Sequence, residues 1–289
     1  MTKVLTREDC VVNCSILFGE YPLRDRPSRA FAAGFRRIEL WWPFASAVPG
    51  DSEIDRLCSA IEDAGVQLYG LNLFAGDMAA GERGILSAPA RSAEYDDNLA
   101  VVASIATRLG CRTFNALYGN RLEGVTPDEQ DEVACERLRE AAAILGRAGG
   151  RVLVEPLSGG AGYPLRLAAD AVRVIERAEA ASPLGNVFLL ADLYHLAVNG
   201  DDVSAAIRRF GPRIGHVQIA DAPGRHEPGT GGLPLARWIG ELQAAGYEGP
   251  YALEYHPSTR TEASFGWLAR TAVPRRSADE PESLGPSTS

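Results

Sequence analysis

No run in this 289-residue chain approaches the ~18 apolar residues that a membrane span requires. The opening stretch, MTKVLTREDC, has no apolar signal core either. Positive charge is also short. The formal net charge is −9 and the pI about 5.1, which argues against a nucleic acid or an anionic membrane as partner. The five cysteines (Cys10, Cys14, Cys58, Cys111 and Cys135) are odd in number and never spaced C-x-x-C, so neither a disulfide framework nor a zinc site follows. Buried structural thiols and a cytoplasmic location are the expectation. A glycine-rich turn after the first strand is missing as well. SILFGEYP holds one glycine, which speaks against an open, doubly wound dinucleotide-binding sheet.

What is present is alternation. Short β-branched stretches (11–16, 36–40, 66–72, 112–117, 151–156, 186–192, 214–220 and 250–255) alternate with helix-period stretches near 27–33, 52–64, 92–109, 127–148, 167–181, 202–210, 234–245 and 261–271. Start signals precede several helices: Asp51-Ser52, Thr126-Pro127 and Asp201-Asp202. Glycines 34, 65, 110, 149–150 and 246 fall where left-handed caps are wanted. Eight β-then-α units predict a single-domain (β/α)8 TIM barrel over residues 1–273. The polar, proline-bearing stretch 274–289 reads as a disordered tail.

In such a barrel the chemistry sits at the C-terminal ends of the strands. Glu155, Asp192, Gln218 and Glu254 follow apolar stretches on strands five to eight. A lone acid at a strand end is more often a cap or half of an ion pair, but four at the same end point to a site. Three carboxylates and an amide converging there would repel unless a cation sat among them. An oxygen-only donor set suits Mg²⁺ or Mn²⁺, with Co²⁺ admitted. His195 lies just past strand six, and Arg225 and His226 lie in the loop after strand seven. His195 and Arg225 are the candidates for holding substrate oxygens. His216 shares a strand face with Gln218 and should support it from one layer deeper. The glycine- and alanine-rich segment 71–86 reads as a lid, with Glu82, Arg83 and, at its start, Asn72 as substrate contacts. Trp41 and Trp42, after strand two, read as pocket lining. GTGG (229–232) is a candidate phosphate cradle, although the rim offers no lysine cluster.

The stretches AGDMAAGERGI, LVEPL, ADLYH, GHVQIAD, EPGTG and LEY together resemble the hydroxypyruvate isomerase family, within the xylose-isomerase-like TIM barrels. The likeness runs from about Asn13 to Trp267. It implies interconversion of hydroxypyruvate and tartronate semialdehyde (2-hydroxy-3-oxopropanoate), with a metal stabilising an enediolate. It also implies that Glu155 and Glu254 are the acid/base pair, and that these two with Asp192 and Gln218 form the divalent-metal site. Which glutamate acts first as base stays open. A 2-oxotetronate isomerase or a ketose 3-epimerase would use the same residues. A metal-assisted apurinic endonuclease would want more than four histidines and a basic surface. A non-catalytic sugar-binding barrel would be expected to lose one of the paired glutamates. The expected partner is a small 2-oxo or hydroxy acid or a sugar, and a homo-oligomer is compatible with the sequence.

Overall fold

The computed structural model describes residues 5–160 and 162–268, and its eight parallel strands close into a barrel in chain order. They are β1 (Cys10–Asn13), β2 (Arg37–Leu40), β3 (Gln67–Asn72), β4 (Thr113–Asn115), β5 (Arg151–Val154), β6 (Val187–Asp192), β7 (Ile214–Ile219) and β8 (Tyr251–Leu253). Val12 pairs with Ile38 on one side and Leu253 on the other, so the ring closes without an edge. The helices are α1 (Arg26–Ala32), α2 (Asp51–Ala64), α3 (Ser92–Leu109), α4 (Pro127–Gly146), α5 (Ala168–Glu179), α6 (Leu193–Val198), α7 (Val203–Phe210) and α8 (Leu235–Ala244).

Strands buried on both faces read as apolar runs. In β7, Val217 and Ile219 join the hydrophobic core, while His216 and Gln218 line a cavity inside the ring. Helix α5 buries Ala168, Ala171, Val172, Ile175 and Ala178, one stripe of a 3.6-residue repeat. Thr126 caps α4 as expected: its Oγ1 accepts from Glu129 N–H at 3.2 Å, and its own N–H donates to Glu129 Oε2 at 2.8 Å. Glycines 34, 65, 110, 149 and 246 all take positive φ. All five cysteines are buried. No helix among the described residues is long and apolar enough to cross a membrane.

Three expectations are corrected. Helix α2 is capped by Gly50, so Asp51 and Ser52 belong to its first turn. The last helix candidate, 261–271, is a short 3₁₀ turn (Ala263–Trp267) within the described residues. A short helix absent from the sequence reading, α6, follows β6 directly because Asp192 Oδ1 accepts from the N–H groups of Tyr194 (2.8 Å) and His195 (3.3 Å). The tail from residue 274 lies outside the described residues.

Candidate active site

Each strand brings one polar side chain to the C-terminal mouth: Asn13, Glu39, Asn72, Asn115, Glu155, Asp192, Gln218 and Glu254. All except Asn72, which is half-buried, are buried. Five of the eight were expected. Asn13, Glu39 and Asn115 were missed, although Asn13 and Asn115 each close a strand and Glu39 stands one residue from the end of its own.

The side chains interlock. Asn13 Oδ1 accepts from Ser15 N–H, which fixes its amide. Its Nδ2 then donates to Glu39 Oε1 (3.0 Å) and Glu254 Oε2 (3.1 Å). Gln218 Nε2 donates to Glu39 Oε1 (2.9 Å) and to Glu254 Oε2. Glu39 Oε2 meets His216 Nε2 at 2.8 Å, so His216 supports the ring from below, as its place on the strand face suggested. Asn115 Nδ2 donates to Glu155 Oε2 at 2.6 Å, and Trp41 Nε1 donates to Glu254 Oε1 at 3.2 Å. Trp42 donates to Ser46 O, packs edge-on to Phe44 and lines the groove beside the lid.

Arg225 lies within the mouth. Its Nη2 donates to Glu254 Oε1 at 2.8 Å and Asp192 Oδ2 at 3.1 Å. The backbone there is left-handed, with φ 55°, an uncommon state for a residue with a Cβ. Burial raises the Glu155 carboxyl well above its usual range, and the charges of Glu254 and Asp192 add to the shift. Burial also lifts Glu254, to about 7, against the pull of Arg225. The single guanidinium therefore leaves the carboxylates short of positive charge. The buried Gln218 Oε1 also has no partner. Both observations fit a divalent cation held by Glu155, Asp192, Glu254 and Gln218.

His195 is close enough to be considered as a ligand. Single donor atoms of Glu155, Asp192 and His195 lie within 4.8 Å of one another. Its Nδ1, however, accepts from the backbone N–H of Ser158 at 3.1 Å and meets Ser158 Oγ at 2.7 Å. A backbone amide can only donate, so in the neutral ring the proton sits on Nε2, 3.5 Å from Asp192 Oδ2. Burial pushes the His195 pKa down to about 4. The ring thus presents a neutral N–H donor to the mouth, not a metal-binding lone pair.

The lid is tied down. Buried Arg137 of α4 donates to Ile85 O, Leu86 O, Ala88 O and Ser92 Oγ at its base. A Cβ on Gly84 would lie 2.0 Å from Leu117 O, so only glycine allows this approach. Glu82 accepts from Arg91 and from Asp77 N–H, and Arg83 donates to Met78 O and Glu82 O. Both charges are therefore engaged, Arg83 within the lid and Glu82 also with Arg91 just beyond it. A groove of about 540 Å³ separates it from the Trp42 loop. GTGG is not an open cradle. Asp221 fills it, accepting from the N–H groups of Ala222, Gly229, Gly231 and Leu233 at 2.8–3.0 Å.

The xylose isomerase-like TIM barrel family model matches residues 27–271. The chain belongs to this family. Within it, a candidate hydroxypyruvate isomerase of Streptomyces coelicolor is 50% identical over 89% of this chain and 94% of its own. The hydroxypyruvate isomerase of Escherichia coli K12 is 32% identical (89% and 96%), and the 2-oxo-tetronate isomerase of Cupriavidus necator 30% (89% and 95%). The crystal structure of an AP endonuclease, family 2, from Brucella melitensis superposes with a TM-score of 0.80 at 32% identity, covering 89% of this chain and 96% of that one. The chain is thus an isomerase-family enzyme of the hydroxypyruvate isomerase group.

Proposed function

We propose that the protein interconverts hydroxypyruvate and tartronate semialdehyde, with Glu155 and Glu254 as the acid/base pair. One observation carries the reading: two buried glutamates, both raised above the usual carboxylate range by burial, stand at the ends of strands three places apart in an eight-stranded ring. They flank the mouth from nearly opposite sides. The reaction takes a proton from the hydroxymethyl carbon and returns one to the neighbouring keto carbon, while the hydroxyl proton passes between the two oxygens. A carboxyl group titrating near the working pH can both accept and donate a proton. A divalent cation held by Glu155, Asp192, Gln218 and Glu254 would supply positive charge for the oxygens on which negative charge develops. His195 Nε2–H would donate to one substrate oxygen. Arg225 would turn its guanidinium from the carboxylates to the substrate's own. Asn72 at the end of β3, with Glu82 and Arg83 from the lid side, would complete the enclosure. Magnesium or manganese suits the donor set, with cobalt as a substitute.

The 2-oxo-tetronate isomerase similarity supports a second reading, a four-carbon 2-oxo acid on the same residues. Proton NMR in deuterated water, with hydroxypyruvate and Mg²⁺, tests the first. A new aldehyde signal that vanishes on chelation supports it. Unchanged hydroxypyruvate at high enzyme concentration, with turnover of a 2-oxotetronate, would transfer the assignment to the second.

A further inference from the structure

We infer that Glu39 is a positioning residue that turns the Gln218 amide so its carbonyl oxygen faces the cation. The inference rests on the metal site proposed above. Gln218 is the one neutral member of that set, and its two ends differ: oxygen can bind a cation and NH₂ cannot. Nothing in the length of the side chain chooses between them. Two carboxylates that can only accept face its NH₂: Glu254, itself a member of that set, and Glu39, the acceptor that lies outside it. Gln218 Nε2 lies 2.9 Å from Glu39 Oε1, and only the donor end of the amide is admissible there. The opposite end, Oε1, is then left buried without a hydrogen-bond partner.

Glu39 is itself held on every side. Asn13 Nδ2 donates to the same Oε1 at 3.0 Å, and Asn13 cannot flip because Ser15 N–H occupies its oxygen. His216 Nε2 meets Oε2 at 2.8 Å. Space for the carboxylate comes from Gly70 on β3, where an added Cβ would lie 3.2 Å from Glu39 Cβ and 3.4 Å from its Oε2. Three strands besides its own thus contribute to fixing one acceptor. The hydrogen bonds of Glu39 run to Asn13, His216 and Gln218, and of these Gln218 is the proposed ligand, so Glu39 acts on the cation through Gln218.

Replacing Glu39 by glutamine keeps the shape but adds a donor. The substituted side chain could then give its NH₂ to Gln218 Oε1 and reverse the amide. The test is calorimetric titration of chelator-stripped protein with Mn²⁺ alone, for the unsubstituted chain, E39Q, Q218E and the double variant. E39Q is expected to raise the Mn²⁺ Kd by about 10–100-fold, the usual cost of losing an outer partner of a ligand. In the Q218E background, where both ends of the ligand are oxygen, the same change should leave Kd within about 2-fold or tighten it. Equal weakening in both backgrounds would reduce Glu39 to a structural part, and an unchanged Kd for E39Q would remove it altogether. Either result overturns the inference while Mn²⁺ binding by the unsubstituted chain keeps the metal site standing. Failure of that chain to bind Mn²⁺ would overturn both. Should E39Q not fold, G70A presses on the same carboxylate and is expected to weaken Mn²⁺ binding; an unchanged Kd there counts against the inference.

Discussion

Glu155 and Glu254 carry the same functional group in different company. Glu155 has an amide donor from Asn115, whereas Glu254 shares Arg225, Trp41, Asn13 and Gln218. Replacing either by glutamine keeps the shape and removes the proton-transfer group. Glu155→Gln and Glu254→Gln should each lower kcat by about 10²–10⁴-fold with unaltered circular dichroism, and a wild-type rate for either would break the two-carboxylate scheme. His195 gives a further outcome. If its Nε2–H donates to substrate, His195→Gln, which can still offer an N–H, should lose less kcat/KM than His195→Ala; equal losses would leave the ring a packing role. The sequence made Glu155, Asp192, Gln218 and Glu254 legible because each interrupts an apolar run at its end. Asn13 and Asn115 escaped because their strands were drawn too long. VVNCSI and RTFNAL place the asparagine mid-strand, whereas the pairing stops at that residue. Glu39 escaped because one acid in RRIEL looks like an exposed edge charge until the register sets it opposite Asn13.

Elements were more legible than their ends. All eight strands and seven of the expected helices are present, because the switch from a two-residue to a 3.6-residue repeat survives in a single sequence. Helix α6 did not announce itself: it is six residues long, and its start is set by a site carboxylate instead of a dedicated cap. The lid was legible as a loop but not as an anchored one, since its anchor, Arg137, lies 45–52 residues further along the chain. Burial works against the charge on that guanidinium, yet four acceptors surround it. Arg137→Met should leave those acceptors unsatisfied and cost about 3 kcal/mol in urea unfolding. Amide exchange at residues 85–92 should accelerate more than in β6 or β7. Uniform acceleration would mean that the arginine supports the whole barrel equally and not the lid base.

For the whole molecule, the mouth sets stability against charge. Glu155 and Glu254 keep their protons to higher pH in the fold than in the unfolded chain, where a glutamate titrates near 4.5. Their contribution is therefore fully present below about 4.5 and is lost as pH rises through the folded value, about 7 for Glu254. His195 acts in the opposite sense: held near 4 instead of 6.5, it stabilises above 6.5 and that contribution fades as pH falls toward 4. A divalent cation competes with the carboxyl protons, so its stabilising effect should grow with pH. Calorimetry with saturating Mn²⁺ against chelator should give a Tm difference that widens from pH 5.5 to 8, the stabilisation reaching about 2.7 kcal/mol when the free ion stands at a hundred times its Kd. A difference that is constant over this range would place the ion elsewhere. The Asp221 loop, last, can be considered as a binding equilibrium in its own right. Asp221 is a tethered anion that competes for the loop's amide hydrogens, at an effective concentration set by the chain itself and never diluted away. A phosphate arriving from solution would meet amides already occupied by the protein's own ligand, so this loop is closed to anions by its covalent structure.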